Sequence, residues 1–309
     1  MFQEKVKDKE SGILLYGITP PKAHNTPEKI LEISRKTVER VRKLGVDGLV
    51  IYDLQDESAR NPEERPFPFF QTLEADLYNA DYLQDLKIPK IIYRSVGKYS
   101  KESLISRMAT CSEPTVFVGV PSSTASVSLK LSDAYSIWNH NKNNGCLGGV
   151  TIPERHQAGE HLRIINKMNQ GCSFFISQCV YNVEMVKNML SDLYFHCSKT
   201  GIKVPTIIFT LTTCGSSKTL DFLSWLGIDV PQWLKNELHH CDDMLAKSVD
   251  LSLDIAHEIK QFCEAKSIPY GFNIESVSIR KVEIEASEYL LKGIKKLLGR
   301  EAPANALIN

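Results

Sequence analysis

Short apolar runs alternate with longer amphipathic stretches along the chain. Runs with the length of buried β-strands lie at 12–19, 48–54, 90–96, 115–121, 147–152, 173–180, 205–212 and 270–276. Helical spacing of apolar residues occurs at 27–43, 101–111, 132–140, 160–170, 182–199, 217–226, 242–266 and 281–298, with an extra helical segment at 231–240. Thr26 as N-cap, Pro27 at the first helical position and Gly45 after the end delimit the first helix.

The alternation of strands and helices predicts a parallel sheet covered by helices. Eight strands suit a closed barrel better than an open doubly wound sheet, which usually has about five or six. A chain of 309 residues is within the size of one α/β barrel. We therefore predict an α/β protein, a single (β/α)8 TIM barrel that occupies residues 1–309 as one domain.

Composition and charge limit the classes of partner that we expect the protein to bind. Lys plus Arg and Asp plus Glu are 37 each, so no overall field attracts nucleic acid or an anionic membrane. No run reaches the roughly 18 apolar residues that span a bilayer, and the first residues lack a signal-peptide core. We expect a cytoplasmic protein without nucleic-acid or membrane partners, and the sequence leaves a homo-oligomer open.

Common cofactor and metal motifs are missing from the sequence. It contains no GxGxxG after a strand, no GxxxxGK[ST], no HExxH and no GxSxG. The eight cysteines are scattered without CxxC pairs, which indicates reduced thiols. His239, His240 and Cys241 are adjacent on a helical segment, where neighbouring side chains diverge, so we predict no metal site.

Polar residues are concentrated where the predicted strands end. In barrels of this kind the catalytic groups come from the carboxyl ends of the strands. The polar groups at these ends are Asp53, Gln55, Asp56, Glu57 and Arg60, then Arg94 and Ser95, then Glu154, Arg155 and His156, then Ser177 and Gln178, and finally Asn273, Glu275 and Ser276. An acidic loop can equally be a solvated turn, and a single histidine can be a capping or core residue. Because several strands deliver such groups to one end, a site is favoured.

Four segments resemble the flavin-dependent methylenetetrahydrofolate reductases in order and spacing. They are ITPPK at 18–22, VTIPERH at 150–156, FFISQCVYNVEMV at 174–186, and GIKVPTIIFTLTT through LGIDVPQWL at 201–234. The resemblance covers nearly the whole chain. It implies a flavoprotein oxidoreductase of one-carbon metabolism: FAD lies over the strand ends, NAD(P)H reduces it, and a hydride passes to a methylene-folate.

The resemblance also implies roles for individual residues. Gln178 falls on the folate-contacting glutamine of the family, whose amide offers a donor and an acceptor to a pterin edge. The predicted substrate-binding residues are Gln178, Tyr181, Asp53, Gln55, Asp56 and Asn273. The predicted cofactor-binding residues are Arg94, Gly119, Pro153, His156 and Lys167.

The chain departs from the family pattern at several positions. Gly17 stands where the family has its general-acid glutamate, and a glycine cannot donate a proton. Other departures are Val118, Val120, Ile152 and Asn166, which replace an arginine, the flavin-tuning aspartate, an aromatic residue and a second phosphate-facing arginine. Candidate replacement acids are Glu57, Glu154 and Glu275, because partial burial raises the pKa of a carboxyl group. Glu275 is favoured for its place on the eighth strand.

Three functions follow from these observations. The first is a methylenetetrahydrofolate reductase-like enzyme in which NAD(P)H supplies the hydride, through FAD if it is bound or directly if it is not. The second is a folate- or pterin-binding protein, or a methyl-transfer partner, without reductase activity. The third is a barrel aldolase or lyase, which the lack of a strand-end lysine for a Schiff base disfavours.

Overall fold

The computed structural model describes residues 1–57, 61–119, 129–141 and 145–300 and contains a closed barrel of parallel strands. The strands are β1 (Ile13–Ile18), β2 (Gly48–Ile51), β3 (Lys90–Ser95), β4 (Thr115–Val118), β5 (Leu147–Thr151), β6 (Cys172–Cys179), β7 (Thr206–Thr212) and β8 (Tyr270–Glu275). Each pairs with the next along the chain, and β8 pairs with β1 in the register Leu15 to Asn273. The predicted (β/α)8 barrel is confirmed.

The helices of the described chain surround this barrel. They are α1 (Phe2–Lys7), α2 (Pro27–Leu44), α3 (Ala75–Tyr82), α4 (Lys101–Thr110), α5 (Leu131–His140), α6 (Glu160–Asn169), α7 (Val183–Thr200), α8 (Ser217–Trp225), α9 (Gln232–His240), α10 (Met244–Ala265) and α11 (Lys281–Leu297). Helix α2 has the predicted boundaries: the Thr26 side chain accepts a hydrogen bond from the Lys29 amide, and Gly45 takes a left-handed φ of +58°.

Two helices differ from the prediction. Helix α3 connects β2 and β3, where the apolar pattern predicts none, because only Ala75 and Tyr78 are buried in it. Helix α1 is only six residues long, too short for a helical period to be recognised. Between β7 and β8 the helices α8, α9 and α10 follow one another, at the positions of the three predicted helical segments 217–226, 231–240 and 242–266.

Alternate strand residues fill the barrel interior, as the two-residue period of a strand requires. This interior cluster contains Ile13, Leu15, Val50, Ile91, Tyr93, Val116, Phe174, Ile176 and Ile208. Phe2 and Val6 of α1 belong to the same cluster, and the Phe2 ring meets the Phe174 ring edge-on at 5.2 Å. Phe174 lies near the start of β6, so α1 closes the amino-terminal end of the barrel.

None of the helices in the described ranges combines the length and apolarity that crossing a bilayer requires.

Candidate functional site

A hydrogen-bonded group of side chains lies inside the barrel at the carboxyl ends of the strands. We call Tyr52, Cys179, Asn273 and Glu275 the central acid cluster. The Asn273 amide donates to the Tyr52 hydroxyl at 2.8 Å, and the Cys179 thiol donates to Glu275 Oε1 at 3.0 Å. The Tyr52 hydroxyl in turn forms a hydrogen bond with Glu275. Two predicted site residues, Asn273 and Glu275, are thus brought together.

The protein surroundings keep protons on this cluster. Burial raises the pKa of Glu275, and the hydrogen bonds from Tyr52 and Cys179 offset only part of that rise. Burial likewise raises the pKa of Tyr52 and of Cys179 well above their usual values, with Glu275 adding to both rises. Glu275 therefore remains protonated to a higher pH than a surface glutamate does.

Gly17 on β1 makes room for the cluster. A Cβ atom at this position would lie 2.9 Å from Cε2 of Tyr52 and 3.2 Å from Cβ of Glu275. Both distances are shorter than ordinary van der Waals contact between carbon atoms, which begins near about 3.5 Å. The space beside Gly17 is therefore occupied by side chains from β2 and β8.

The polar residues that follow β2 connect it to the ends of the neighbouring strands through hydrogen bonds and an ion pair. Asp53 is buried; its Oδ2 accepts from the Ser95 amide at 2.8 Å and its Oδ1 forms an ion pair with Lys98. The Gln55 amide donates to the Gly119 carbonyl at 3.0 Å, which links this segment to the end of β4.

The other predicted positions of these two segments differ in their surroundings. Asp56 is exposed and Glu57 is half-buried. Among the described residues, Leu131, at 3.9 Å, has the nearest side chain to a Cβ placed at Gly119. Arg60 and Val120 lie outside the described residues.

Gln178 and Glu154 lie on the opposite side of the mouth, at the ends of β6 and β5. The Gln178 amide donates to the Leu226 carbonyl at 3.2 Å, and Glu154 Oε1 accepts from the Asp229 amide at 3.5 Å. Burial raises the pKa of Glu154. Among the described residues, Glu154 Oε2 and Asn273 Oδ1 are buried acceptors without a hydrogen-bond partner. A ligand that presents N–H groups could satisfy them.

Tyr181, a predicted substrate-binding residue, already has a hydrogen-bond partner within the protein. Its side chain is buried, and its hydroxyl donates to the Thr212 carbonyl at 2.9 Å. Pro153 and His156 lie in a short 3₁₀ helix, Pro153–Ala158, directly after β5, with Pro153 buried and His156 half-buried.

Two predicted cofactor-binding residues do not face the mouth. Arg94 follows the inward-facing Tyr93, so it points out of the barrel, where its guanidinium donates to Thr115 Oγ1 at 2.6 Å and pairs with Asp76. The Lys167 ammonium donates to the Val150 carbonyl between α6 and β5, and burial lowers its pKa. The structure therefore corrects both assignments, because these cations already have protein partners in the helix layer.

These placements decide how well the site fits FAD. A flavin dinucleotide carries a pyrophosphate, which proteins usually bind with basic side chains or helix N-termini. The arginine and the lysine among the predicted cofactor-binding residues, Arg94 and Lys167, are both engaged elsewhere. The described residues thus do not fit the flavin site that the sequence implies.

A long segment between β2 and α3 covers the mouth, and we call residues 61–73 the strap. The carbonyls of Trp225 and Leu226, at the end of α8, accept hydrogen bonds from Asn61 and Gln178, both at 3.2 Å. Asn61 follows β2, whereas Gln178 belongs to β6, four strands away around the barrel. The strap and the end of α8 therefore bridge opposite sides of the opening.

Other hollows and clusters lie away from the strand ends. One surface hollow of about 280 Å³ is lined by Lys187, Glu258, Gln261 and Phe262 on the helix layer. No group of three or more His, Cys, Asp or Glu residues within the described ranges is arranged to hold a metal ion.

No protein-family model matches the chain, and no curated protein matches it either. Among solved structures, CbXyn10B is 11% identical with a TM-score of 0.47, covering 89% of this chain and 87% of its own. A 2,3-dimethylmalate lyase of the PEP mutase/isocitrate lyase superfamily is 10% identical with a TM-score of 0.44, covering 96% and 95%.

A third solved structure is much more similar. It is an uncharacterized protein from Clostridium thermocellum that binds two copies of 5-methyl-5,6,7,8-tetrahydrofolic acid. It is 52% identical with a TM-score of 0.85, and the match covers 96% of this chain and 100% of that one. This chain therefore belongs to the same family as the Clostridium thermocellum protein.

Proposed function

We propose that this protein binds a reduced folate of the 5-methyltetrahydrofolate class in the mouth of the barrel. The observation that carries the proposal is the methyl-folate binding of the Clostridium thermocellum relative, which is 52% identical over nearly the whole chain. The mouth of this barrel offers the matching chemistry, because polar groups from β5, β6 and β8 are held there at the edge of an apolar interior.

The pterin ring would be oriented by groups on two sides of the mouth. A pterin edge carries both N–H donors and ring acceptors, and Gln178 can serve either kind through its amide. Asn273 Oδ1 and Glu154 Oε2 are buried acceptors without protein partners in the described chain, so they suit the N–H groups of the pterin. The protonated form of Glu275 can donate to a ring nitrogen.

Calorimetric titration of the purified protein with 5-methyltetrahydrofolate tests this proposal. We expect saturable binding, and we expect Gln178→Ala to weaken it by about tenfold, the factor for roughly 1.4 kcal/mol. Gln170→Ala is the matched control, because Gln170 is half-buried after the end of α6, away from the mouth, and its side chain forms a hydrogen bond with Asn166. Absence of binding by the wild-type protein would refute the proposal. Unchanged affinity in Gln178→Ala would remove only that residue.

A second candidate is the reductase that the sequence resemblance implies, with NAD(P)H as hydride donor and Glu275 as proton donor. What favours it is the raised pKa of the half-buried Glu275 carboxyl beside Gly17. In this reading the chain orients the folate, excludes water from the barrel interior and holds a proton on Glu275. The route through FAD is not supported, because Arg94 and Lys167 are engaged elsewhere.

NAD(P)H oxidation that depends on methylenetetrahydrofolate separates the two candidates. If the protein is a reductase, we expect turnover that Glu275→Gln depresses much more than it weakens folate binding. Folate binding without nicotinamide oxidation would leave the binding protein or methyl-transfer partner as the function. An absorbance spectrum of the purified protein independently reports any bound flavin.

A further inference from the structure

The strap crosses from β2 to the far side of the mouth and then returns. Its first part contacts the end of α8: Asn61 donates to the Trp225 carbonyl at 3.2 Å, and the Trp225 indole donates to the Glu63 carbonyl at 2.9 Å. Its last part runs beside the β1–α2 connection, where the Leu73 amide donates to the Pro21 carbonyl at 2.9 Å. Any ligand in the central mouth therefore lies next to the strap.

An aromatic surface with two cations forms where the strap meets α8. The Phe67 ring meets Phe222 edge-on at 5.4 Å. The Arg65 guanidinium lies 4.9 Å from the Phe222 ring and 5.4 Å from the Trp225 ring. The Lys218 ammonium lies 5.0 Å from the Phe67 ring. We call these five residues the strap surface.

Arg65 retains unused hydrogen-bonding capacity on this surface. One terminal nitrogen donates to the Phe67 carbonyl at 2.5 Å, whereas Nε is buried and has no partner among the described residues. Burial lowers the pKa of Arg65, and the nearby acids Asp56 and Glu57 act in the opposite direction. An arginine fork of this kind is suited to bidentate binding of a carboxylate.

We propose that Arg65 and Lys218 on the strap surface bind the benzoylglutamate end of a folate whose pterin lies in the mouth. This inference rests on the proposed function and adds the site for the other half of the ligand. Benzoylglutamate consists of an aromatic ring followed by carboxylates. The strap surface supplies the matching partners in the same place, because aromatic rings contact aromatic rings and two cations face the carboxylates.

The position of the strap surface relative to Gln178 supports one continuous site. Gln178 bonds the Leu226 carbonyl, and the Trp225 side chain next to it is part of the strap surface. A pterin held by Gln178 would thus have its substituent within reach of Arg65 across the end of α8. Gln178 and the strap surface would then hold the two ends of one molecule.

The test compares a complete folate with a pterin that lacks the tail. Calorimetry with 5-methyltetrahydrofolate and with 5,6-dimethyltetrahydropterin is done on the wild-type protein, Arg65→Gln and Lys218→Gln. We expect each substitution to lower the affinity for the folate by about tenfold, as for the loss of a charged hydrogen bond. The affinity for the pterin should stay unchanged. Lys218 is exposed, so its variant is expected to fold even if Arg65→Gln does not.

Lys266→Gln is the matched control, because Lys266 also lies over aromatic rings, at 5.2 Å from Tyr194 and 5.4 Å from Phe195. It precedes β8, at the opposite end of the barrel, and its variant should bind both ligands as the wild type does. Equal wild-type affinity for the two ligands, or equal loss of both in Arg65→Gln and Lys218→Gln, would overturn the inference while leaving the proposed function intact. No binding of either ligand would instead refute the proposed function.

Discussion

Glu275→Gln should remove the loss of stability that the wild-type protein shows as rising pH ionises the half-buried Glu275 carboxyl. Burial raises the pKa of Glu275 above the ordinary value of 4.5. Between 4.5 and the raised pKa, the folded state holds a proton that the unfolded state has released. The proton on Glu275 therefore makes its full favourable contribution to the free energy of unfolding below pH 4.5. This contribution is lost as the pH rises through the folded-state pKa.

The magnitude follows from the number of protons. One proton gives a slope of up to about 1.4 kcal/mol per pH unit in the free energy of unfolding. Glutamine keeps the shape of the side chain and stays neutral at every pH. Its oxygen can still accept from Cys179 and its amide can donate to Tyr52, so the variant is expected to fold. The stability of Glu275→Gln relative to wild type should then increase with pH.

Urea unfolding followed by tryptophan fluorescence, from about pH 5 to about pH 8, measures this difference. Glu264→Gln is the matched control, because a hydrogen bond from Lys260 lowers the pKa of Glu264 from 4.5, so its contribution to stability is lost only below this pH range and its curve should stay parallel to that of the wild type. Parallel pH curves for Glu275→Gln and wild type would refute the reasoning, since they would mean that Glu275 has the same pKa folded and unfolded.

Three further predictions concern packing. Gly17→Ala should destabilise the protein by about 1–3 kcal/mol through overpacking against the Tyr52 ring, which a urea midpoint measures. Arg94→Gln should lower the free energy of unfolding by about 1–3 kcal/mol, because it removes the ion pair with Asp76, which keeps Arg107 as a partner, and the hydrogen bond to Thr115, yet binding of folate by the folded fraction should be unchanged. Phe2→Ala should cost about 3–5 kcal/mol in the same assay, and a loss under 1 kcal/mol would contradict the packing of α1.

The strands could be predicted from the sequence because strands of a parallel barrel are buried on both faces and appear as continuous apolar runs. Helix α3 could not, because just two of its residues, Ala75 and Tyr78, are buried and its polar residues resemble a loop. Helix α1 is held by tertiary contacts of Phe2 and Val6 with the barrel interior. Such contacts are not visible in a six-residue pattern.

The candidate site was only partly predictable for a related reason. Asn273 and Glu275 were recognisable because a polar residue in a buried strand, near its carboxyl end, points to the mouth or needs a partner. In the sequence, Tyr52 and Cys179 look like the last residues of apolar strands. Their hydrogen bonds to Asn273 and Glu275 are visible only in the structure. For Arg94 the signal was present: its neighbour Tyr93 faces inward, and strand alternation then directs Arg94 outward.

Helix α1 determines through which end of the barrel solvent and ligands can enter. With Phe2 fully buried against Phe174, the base of the barrel is closed, and the packed side chains of the interior separate it from the strand ends. Solvent, protons and any bound molecule must exchange through the end that residues 61–73 partly cover. Substitutions that loosen α1 would therefore expose the lowest layer of the interior to water without opening a path to Glu275, which lies at the other end of the barrel.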